Sequence, residues 1–366
     1  MKFSCPKESI LNAVQITARA AASKSTISSL EGVLMELEGN VLTVTGYNLD
    51  IGIRTTLEVN GIENGSTVIN AKMAGDIIRK MPSGDIYFGV GESKAAEIKG
   101  GNAEFSVMCM SADEYPVVPQ INPATGFSVP QKIMKSMILQ TKYACAVTDT
   151  KPALMGCKFE IQDNVLNVVA VDGIRIALRQ ESLNYENIEF IVPVKTLEEL
   201  VTILTDDNDK NVTLSIDKNQ ISFNVEGYTM ISRLIDGEFI PYKKHLECDE
   251  SVSAEVNCRE IIEMLDRSML IINEKNKCPI RCEFSGDTLS MSCTTALGKI
   301  NDKINIKYNG EPISIGFNAK YLLDAFKACD TDCAKIILTA SAVAPIIIVP
   351  PQGREFMFLL LPMRLK

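Results

Sequence analysis

The chain has 366 residues, 46% of them hydrophobic and 23% charged, with a formal net charge of −9. This length suffices for two or three globular domains that each bury a core, and the composition excludes a disordered chain. The acidic balance also excludes a protein that coats nucleic acid indiscriminately, because such binding depends on Lys and Arg. Any contact with nucleic acid must therefore come from a local basic face.

No stretch of the sequence is typical of a membrane span or a secretion signal. A run of about 18 consecutive apolar residues is absent, and residues 1–6 lack the apolar core and small-residue cleavage site of a signal peptide. We therefore expect a cytoplasmic protein without a membrane partner.

The eleven cysteines are odd in number and scattered singly through apolar stretches, which favours reduced, buried thiols over disulfides. Two pairs have three residues between them: Cys278/Cys282, in a predicted strand, and Cys329/Cys333, in an Asp-rich loop. Zinc ligands are usually paired inside a turn and commonly include histidine. We therefore expect neither a metal site nor a cofactor.

Three similar segments follow one another along the chain, and their first residues are Phe3, Phe127 and Ala254. A repeat of this kind predicts the architecture before any single motif does. Each segment opens with a helical pattern in which two apolar residues lie four positions apart and would face a core. These pairs are Ile10/Val14, Met134/Ile138 and Ile261/Leu265.

The later elements of each segment also return in the same order. Strands with alternating apolar residues begin at Leu42, Leu166 and Leu289, and a further strand then leads into a second helix. Each segment closes with a hairpin, as at residues 212–216 and 220–225. The sequence predicts an α+β fold of three repeated domains, each with two helices packed on about eight antiparallel strands. The predicted boundaries are 1–120, 126–244 and 250–366, with linkers at 122–126 and 247–251.

Basic residues recur on the predicted helices. In a helix at residues 131–143, Lys132, Lys135 and Lys142 would form a purely cationic face opposite Met134 and Ile138. On one helix such a face is usually only a solvated surface. Repetition changes this interpretation, since Lys72, Lys195 and Lys320 share one register in the three second helices. Acidic neighbours such as Glu198 and Glu260 make the surface mixed, which suits weak attraction, and no interleaved aromatic residues indicate stacking on single strands.

Catalytic motifs are missing from the sequence. The only histidine is His245, no G-x-S-x-G elbow occurs, and no spaced pair of carboxylates is available for acid–base chemistry. Residues 89–94 differ from a phosphate-binding loop and are predicted to form a hairpin turn. We therefore expect a protein that is not an enzyme. The alternative, a repeat-built enzyme or small-ligand protein, would require a deep polar pocket with convergent titratable groups.

Several short motifs, in this order and on a threefold repeat, resemble the family of bacterial DNA polymerase III β subunits, the sliding clamps. They lie at residues 113–116, 150–156, 169–175, 233–239, 273–275 and 361–365. The chain departs from the family at Ile174, where many relatives have His, and at residues 239–242, where Phe-Ile-Pro-Tyr varies the usual Phe-Pro-x-Tyr. Both departures concern the affinity for partners more than the fold, and a paralogous clamp with a specialised role remains an alternative.

The resemblance implies a non-catalytic processivity factor, in which this chain forms half of a six-domain ring. A head-to-tail homodimer would encircle double-stranded DNA without sequence preference, with helices lining the hole. The residues expected to face DNA are Lys24, Lys72, Arg79, Lys132, Lys135, Lys142, Lys151, Lys195, Arg259 and Lys320. At the dimer interface, Phe105 and Val107 of one copy are expected to meet Leu270 and Ile271 of the other.

The same resemblance implies that the replicative polymerase, the clamp loader and repair proteins bind through short peptides. The almost wholly apolar C-terminus, residues 358–365, favours such a pocket. Strand alternation should bury Phe358 and Leu360 and turn Leu359, Leu361 and Met363 towards the pocket. The other expected walls are Leu154, Val171, Gly173, Ile174, Arg175, Ile176, Ile240, Pro241, His245, Val343 and Pro345, with Arg175 and Arg364 at the rim.

Overall fold

The computed structural model describes residues 1–91, 95–121, 126–148, 151–272, 278–339 and 341–365. Contacts divide the chain into two compact units. The first unit comprises residues 1–134 and 198–234, and the second comprises residues 135–197 and 235–366. The predicted linker residues 122–125, turn residues 92–94 and motif 273–275 lie outside the described residues.

Within the described residues, the first third of the chain forms nine strands and two α-helices. In order they are β1 (Lys2–Pro6), α1 (Lys7–Thr17), β2 (Gly32–Glu38), β3 (Val41–Tyr47), β4 (Ile51–Glu58), β5 (Asn60–Glu63), β6 (Gly65–Asn70), α2 (Ala71–Lys80), β7 (Asp85–Val90), β8 (Ala95–Gly100) and β9 (Ala103–Met108).

In the part of the middle third that the structure describes, there are eight strands, two α-helices of similar length and one short α-helix. They are β10 (Gly126–Pro130), α3 (Gln131–Thr141), β11 (Gly156–Gln162), β12 (Val165–Val171), β13 (Arg175–Ser182), β14 (Ile188–Pro193), α4 (Val194–Ile203), β15 (Asn211–Asp217), β16 (Gln220–Val225), β17 (Tyr228–Arg233) and α5 (Lys243–Leu246).

The last third repeats the pattern of the first. Its elements are β18 (Val252–Asn257), α6 (Cys258–Ser268), β19 (Ile280–Ser285), β20 (Thr288–Thr295), β21 (Gly298–Asn305), β22 (Lys307–Tyr308), β23 (Ile313–Phe317), α7 (Ala319–Ala328), β24 (Cys333–Leu338), β25 (Ile346–Val349) and β26 (Phe356–Leu360). The predicted α+β repeat of two helices and about eight antiparallel strands is thereby confirmed.

The first unit contains two antiparallel sheets. A five-stranded sheet has the order β5-β1-β7-β8-β9, and an eight-stranded sheet has the order β10-β15-β16-β17-β4-β3-β2-β6. Its core includes Phe3 and Phe88, whose rings stack at 5.3 Å, together with Ile10 and Val14 of α1. At Gly46, a Cβ atom would lie 1.9 Å from the Thr17 carbonyl oxygen, so only glycine lets the end of α1 pack this closely on β3.

The second unit also contains two antiparallel sheets. A nine-stranded sheet has the order β14-β11-β12-β13-β26-β25-β24-β18-β22, and a four-stranded sheet has the order β21-β20-β19-β23. The C-terminal strand β26 therefore lies inside the larger sheet, where Arg175 pairs with Leu360 and Ile348 with Phe358. Helices α6 and α7 pack against each other, and Lys327 and Asp266 form an ion pair of 3.0 Å between them.

An asparagine side chain caps the N-terminus of helix α2 in the first unit and of helices α6 and α7 in the second unit. The Asn70 side chain accepts from Met73 N at the start of α2, and Asn257 accepts from Glu260 N at the start of α6. Asn318 does the same at α7, where it accepts from Lys320 N. These bonds satisfy amide groups that the first turn of a helix leaves without a partner.

Helix α3 differs from its prediction in two respects. It ends at Thr141, whose hydroxyl donates to the Met137 carbonyl, and Lys142 belongs to a following 3-10 turn. In addition, the exposed side chain of Leu139 lies in the sector of Lys132 and Lys135. The predicted purely cationic face is therefore wrong, because it also contains an exposed leucine.

Candidate functional site

The turn from β12 to β13 forms the first part of the candidate site. The Asp172 carboxylate accepts from the amides of Ile174 (2.9 Å) and Arg175 (3.0 Å), which closes a tight turn. Gly173 occupies the centre of this turn at φ +88°, a conformation that glycine adopts without strain. The turn leaves the Ile174 side chain 44% exposed. A rigid turn thus presents an apolar side chain to solvent.

Arg175, by contrast, points into the protein. Its Nε lies 2.9 Å from Asp172 Oδ2, and its Nη1 lies 2.9 Å from Asp324 Oδ2 on α7. Its Nη2 donates to the Tyr143 carbonyl, and its guanidinium carbon lies 4.2 Å from the centroid of the Tyr321 ring. The Arg175 side chain is only 11% exposed. Its donors are thus used inside the protein, and the guanidinium does not lie at an open rim.

Tyr143 fixes the position of Arg175 relative to the C-terminal strand. Its ring lies 5.2 Å from the guanidinium and makes an edge contact of 5.8 Å with the Phe358 ring in β26. Burial raises the pKa of the Tyr143 phenol well above its ordinary value, so the ring stays neutral. The turn, α7 and β26 are therefore joined through one buried side chain.

The apolar wall of the site belongs to one buried cluster. Leu154, Val171, Ile176 and Leu359 are members of it, and Ile240 packs against it. The structure therefore brings together these five of the residues predicted to line the pocket. Val343, His245 and Pro241 are exposed outside this cluster, and Pro345 is half-buried.

The residues after β26 form the edge of the site. Leu361 N donates to the Ile174 carbonyl (3.0 Å), and Met363 N donates to the Gly316 carbonyl (2.8 Å). The Leu361 side chain is 39% exposed beside Ile174, Met363 is half-buried and Arg364 is exposed. Two backbone hydrogen bonds, to Ile174 and to Gly316, thus fix the residues after β26, and the Leu361 side chain remains exposed to solvent.

Leu359 does not follow the predicted alternation. All five residues of β26 are buried, Leu359 together with Phe358 and Leu360. The prediction that Leu359 turns towards an open pocket is wrong, because both faces of this interior strand are covered. Leu359 lies below the surface of the apolar wall.

Sequence reasoning did not single out Tyr143, Tyr321 or Asp324. Tyr321 and Asp324 lie three residues apart on α7, and this spacing puts an aromatic ring and a carboxylate on one helix face. That pattern was a usable signal for a buried cation. Nothing local to Tyr143 indicated that its backbone carbonyl would accept from Arg175.

The basic residues predicted to face DNA lie on the surfaces of their own elements. Lys24, Lys72, Lys132, Lys151, Lys195 and Lys320 are exposed, whereas Lys135 and Lys142 are half-buried. Two of the arginines are engaged with acids: Arg79 with Asp76 (3.0 Å) and Arg259 with Glu263 (2.9 Å). Exposed pairs of this kind are weak, so both guanidinium groups can exchange partners.

Exposed apolar side chains lie at one sheet edge and in the segment that follows α6. Strand β9 is an edge of the five-stranded sheet, and it exposes Phe105 and, at 70%, Met108, with Val107 half-buried. In the second unit, β21 is an edge of the four-stranded sheet. Leu270, after α6, is 82% exposed, and Ile271 is half-buried. Edge strands offer unpaired backbone groups to a further strand.

No group of three His, Cys, Asp or Glu side chains among the described residues is arranged to hold a metal ion. No described helix has the length and apolarity needed to cross a membrane.

Replacing Arg175 with alanine is expected to destabilise the second unit by about 3 kcal/mol, because two partly buried carboxylates lose their cation. Unfolding in urea, followed by far-UV circular dichroism because the chain has no tryptophan, measures this loss. Arg259→Ala, which removes an exposed pair, is the matched control and should change little. Equal urea midpoints for the two variants would contradict the proposed contribution of the Arg175 contacts to the free energy of unfolding.

Comparisons with known proteins point to one family. Family models described as the N-terminal, central and C-terminal domains of the DNA polymerase III beta subunit match residues 1–119, 128–241 and 246–364. A curated relative, the beta sliding clamp of Bacillus subtilis, is 29% identical over 378 residues, and the alignment covers 100% of each chain.

Solved structures agree with this relationship. The crystal structure of the DNA polymerase sliding clamp from Bacillus subtilis superposes with a TM-score of 0.94 at 28% identity, covering 100% of both chains. The sliding clamp from Pseudomonas aeruginosa bound to griselimycin gives a TM-score of 0.93 at 26% identity, again over 100% of both chains.

Proposed function

This chain belongs to the family of DNA polymerase III beta subunits, the sliding clamps, and we propose that two copies close into a ring around duplex DNA. It is an accessory subunit of a DNA polymerase and not an enzyme. The observation that carries the proposal is the threefold repeat, whose three copies are matched in order by the three family domains. The ring would make the polymerase processive because it encircles the DNA and cannot dissociate from it without opening.

We propose three clamp domains with boundaries at 1–120, 126–244 and 250–366. The ranges matched by the family domains support these boundaries. A ring of six such domains needs two chains.

The proposed homodimer is head-to-tail. In it, Phe105 and Val107 on the edge strand β9 of one copy meet Leu270 and Ile271 of the other. The exposed apolar side chains at both places and the free edge of β9 support this pairing. The two surfaces differ, yet each copy supplies both, so twofold symmetry closes the assembly.

The proposed DNA-facing surface carries exposed lysines, but nearby acidic residues reduce its positive charge. Exposed lysines recur at the start of the second helices α2, α4 and α7, at Lys72, Lys195 and Lys320. Contacts of Lys with phosphates do not depend on sequence and therefore permit sliding. Nearby ion pairs such as Arg79–Asp76 keep the attraction moderate.

The proposed partner site is the apolar wall with Ile174 and Leu361 at its edge. Polymerase, clamp loader and repair proteins would each insert a short peptide of the Gln-Leu-x-Leu-Phe type, one per chain. An apolar cleft with few polar groups suits leucine and aromatic anchors. The buried Leu154, Val171 and Ile176 support this assignment.

Retention on closed circular DNA is the decisive experiment. Protein placed on a nicked circle by a clamp loader should remain through gel filtration, and cutting the circle once should release it. Topological linkage has this property, whereas contact binding does not. Equal retention on circles and cut DNA would contradict the ring.

The same assay can test the lysines. Lys72→Glu with Lys320→Glu should lower retention and reduce the slope of its salt dependence, by about one for each lost phosphate contact. Lys218→Glu with Lys307→Glu changes the net charge equally at other exposed positions and is the control.

A further inference from the structure

A cavity of about 440 Å³ lies in the second unit, between α5 and the strands β12, β13 and β26. We call it the α5 cavity. Its size is within the usual range of ligand pockets, which begins at roughly 300 Å³. The partner site described above does not include it.

The floor of the α5 cavity is apolar and continuous with the partner site. Leu178, Leu246 and Met357 line it and belong to the same buried cluster as Ile176 and Leu359. Leu178 and Met357 lie two residues from Ile176 and Leu359 along β13 and β26. Side chains two residues apart share one face of a strand. The cavity and the partner site therefore lie along the same face of the sheet.

A polar pair is set into this floor. Gln180 Nε2 donates to Asn167 Oδ1 (2.8 Å), and Asn167 Nδ2 donates to the carbonyls of Glu160 and Val165. Within the part of the chain that the structure describes, Gln180 Oε1 receives no hydrogen bond. It is therefore an acceptor available to a ligand.

The cations at the cavity are already occupied. Lys243 Nζ lies 2.8 Å from Glu160 Oε2, and Arg354 is paired with Glu250. Burial acts to raise the pKa of Glu160, but hydrogen bonds from Lys243 and Tyr242 outweigh it and hold the pKa below its ordinary value. Glu160 thus remains ionised and keeps Lys243 engaged.

The remaining charge at the mouth is negative. Among the described residues, neither Asp163 nor Glu247, both exposed and lining the cavity, has a cation within ion-pair distance. A purely apolar ligand would leave Gln180 Oε1 without a partner, and an acidic one would be repelled. An aliphatic stem that ends in a positive charge fits both the floor and the mouth.

We propose that the α5 cavity binds a Lys or Arg side chain in the flank of the partner peptide, outside its Gln-Leu-x-Leu-Phe core. This inference rests on the proposed function of the neighbouring site. The stem lies on Val165, Leu178 and Met357, and the charged end meets Asp163, Glu247 and Gln180 Oε1. The flank sets the preference among partners that share one core motif.

The distance from the partner site to the α5 cavity can be spanned by a short peptide flank. Val165 and Val171, at the two ends of β12, are six residues apart, which is about 20 Å at roughly 3.3 Å per residue. A spacer of about six extended residues covers this length. The direction of the peptide decides which end carries the flank.

The experiment compares synthetic peptides on the full-length protein by fluorescence anisotropy. Each contains the core and a six-residue Gly/Ser spacer ending in Lys or in Glu, with versions extended at either end. The protein variant D163N/E247Q removes the two free carboxylates, and Asn suits the φ of +52° at Asp163. The control variant E38Q/E58Q makes the same change in net charge at two exposed residues of the first unit.

For one of the two ends, the Lys peptide should bind the wild type about threefold to tenfold tighter than the Glu peptide. D163N/E247Q should reduce this preference below twofold and leave binding of the core peptide unchanged, whereas E38Q/E58Q should keep the preference. Equal binding of Lys and Glu peptides at both ends, or a preference that survives in D163N/E247Q, would overturn the inference. A core peptide that fails to bind the wild type would instead refute the partner site itself.

Discussion

Replacing Leu361 with glutamate is expected to weaken binding of a Gln-Leu-x-Leu-Phe type peptide by a factor on the order of 30. Loss of one central apolar anchor in an interface typically costs about 2 kcal/mol or more. Leu361 is exposed enough that the free protein tolerates the change, and its backbone bond to Ile174 does not involve the side chain. Met363→Glu or removal of residues 361–366 should act in the same direction. The Met363 amide bonds Gly316, however, so truncation also disturbs the fold.

Calorimetric titration of a labelled core peptide measures this effect. Leu361→Met keeps the volume and polarity and should bind nearly as the wild type does. Val117→Glu adds the same charge at an exposed apolar residue of the first unit and should not change peptide affinity. Normal peptide affinity in a folded, dimeric Leu361→Glu variant would refute the partner site.

Replacing either Phe105 or Leu270 with aspartate is expected to convert the dimer into a monomer at micromolar concentration. Each change places a carboxylate in an apolar contact and repeats it in both interfaces of the ring, because the two interfaces are identical. Light scattering after gel filtration should give the chain mass of 40.2 kDa for each variant, against twice this mass for the wild type. Val41→Asp, at another exposed apolar position, should remain dimeric.

Mixing the two variants gives the sharper test. Phe105→Asp keeps an intact Leu270 surface, and Leu270→Asp keeps an intact β9 surface, so the pair can form one good interface. An open heterodimer should appear that is not retained on circular DNA. A wild type that is monomeric, or two variants that each dimerise alone, would rule out the head-to-tail assembly.

Local periodicity predicted the secondary structure well. The pairs Ile10/Val14 and Ile261/Leu265 are buried as expected, because side chains four residues apart share one helix face. The hairpin of β15 and β16 forms around Lys218, which adopts a positive φ of 46° at the predicted turn. Helix and hairpin formation depends mainly on residues that are close together in the sequence, so these elements can be predicted from the sequence alone.

Packing between distant segments decided the rest. Alternation failed in β26 because both faces of this strand are covered: Tyr143 packs on Phe358, and Leu359 on the other face belongs to the buried apolar cluster. Leu139, by contrast, lies seven residues after Lys132, so the helical spacing alone places it in the basic sector of α3, and the structure adds that it is exposed.

The sequence by itself determined the α+β repeat, the order of its elements and the family, since these follow from periodic burial and from motifs read along the chain. Only the tertiary structure decided that Arg175 points inward, where the residues that hold it are Tyr143, Asp172, Tyr321 and Asp324. The physical reason is that a hydrogen bond of the guanidinium requires an acceptor close to it in space. Asp324 is 149 residues from Arg175 in the sequence, yet its Oδ2 lies 2.9 Å from Arg175 Nη1 in the folded chain.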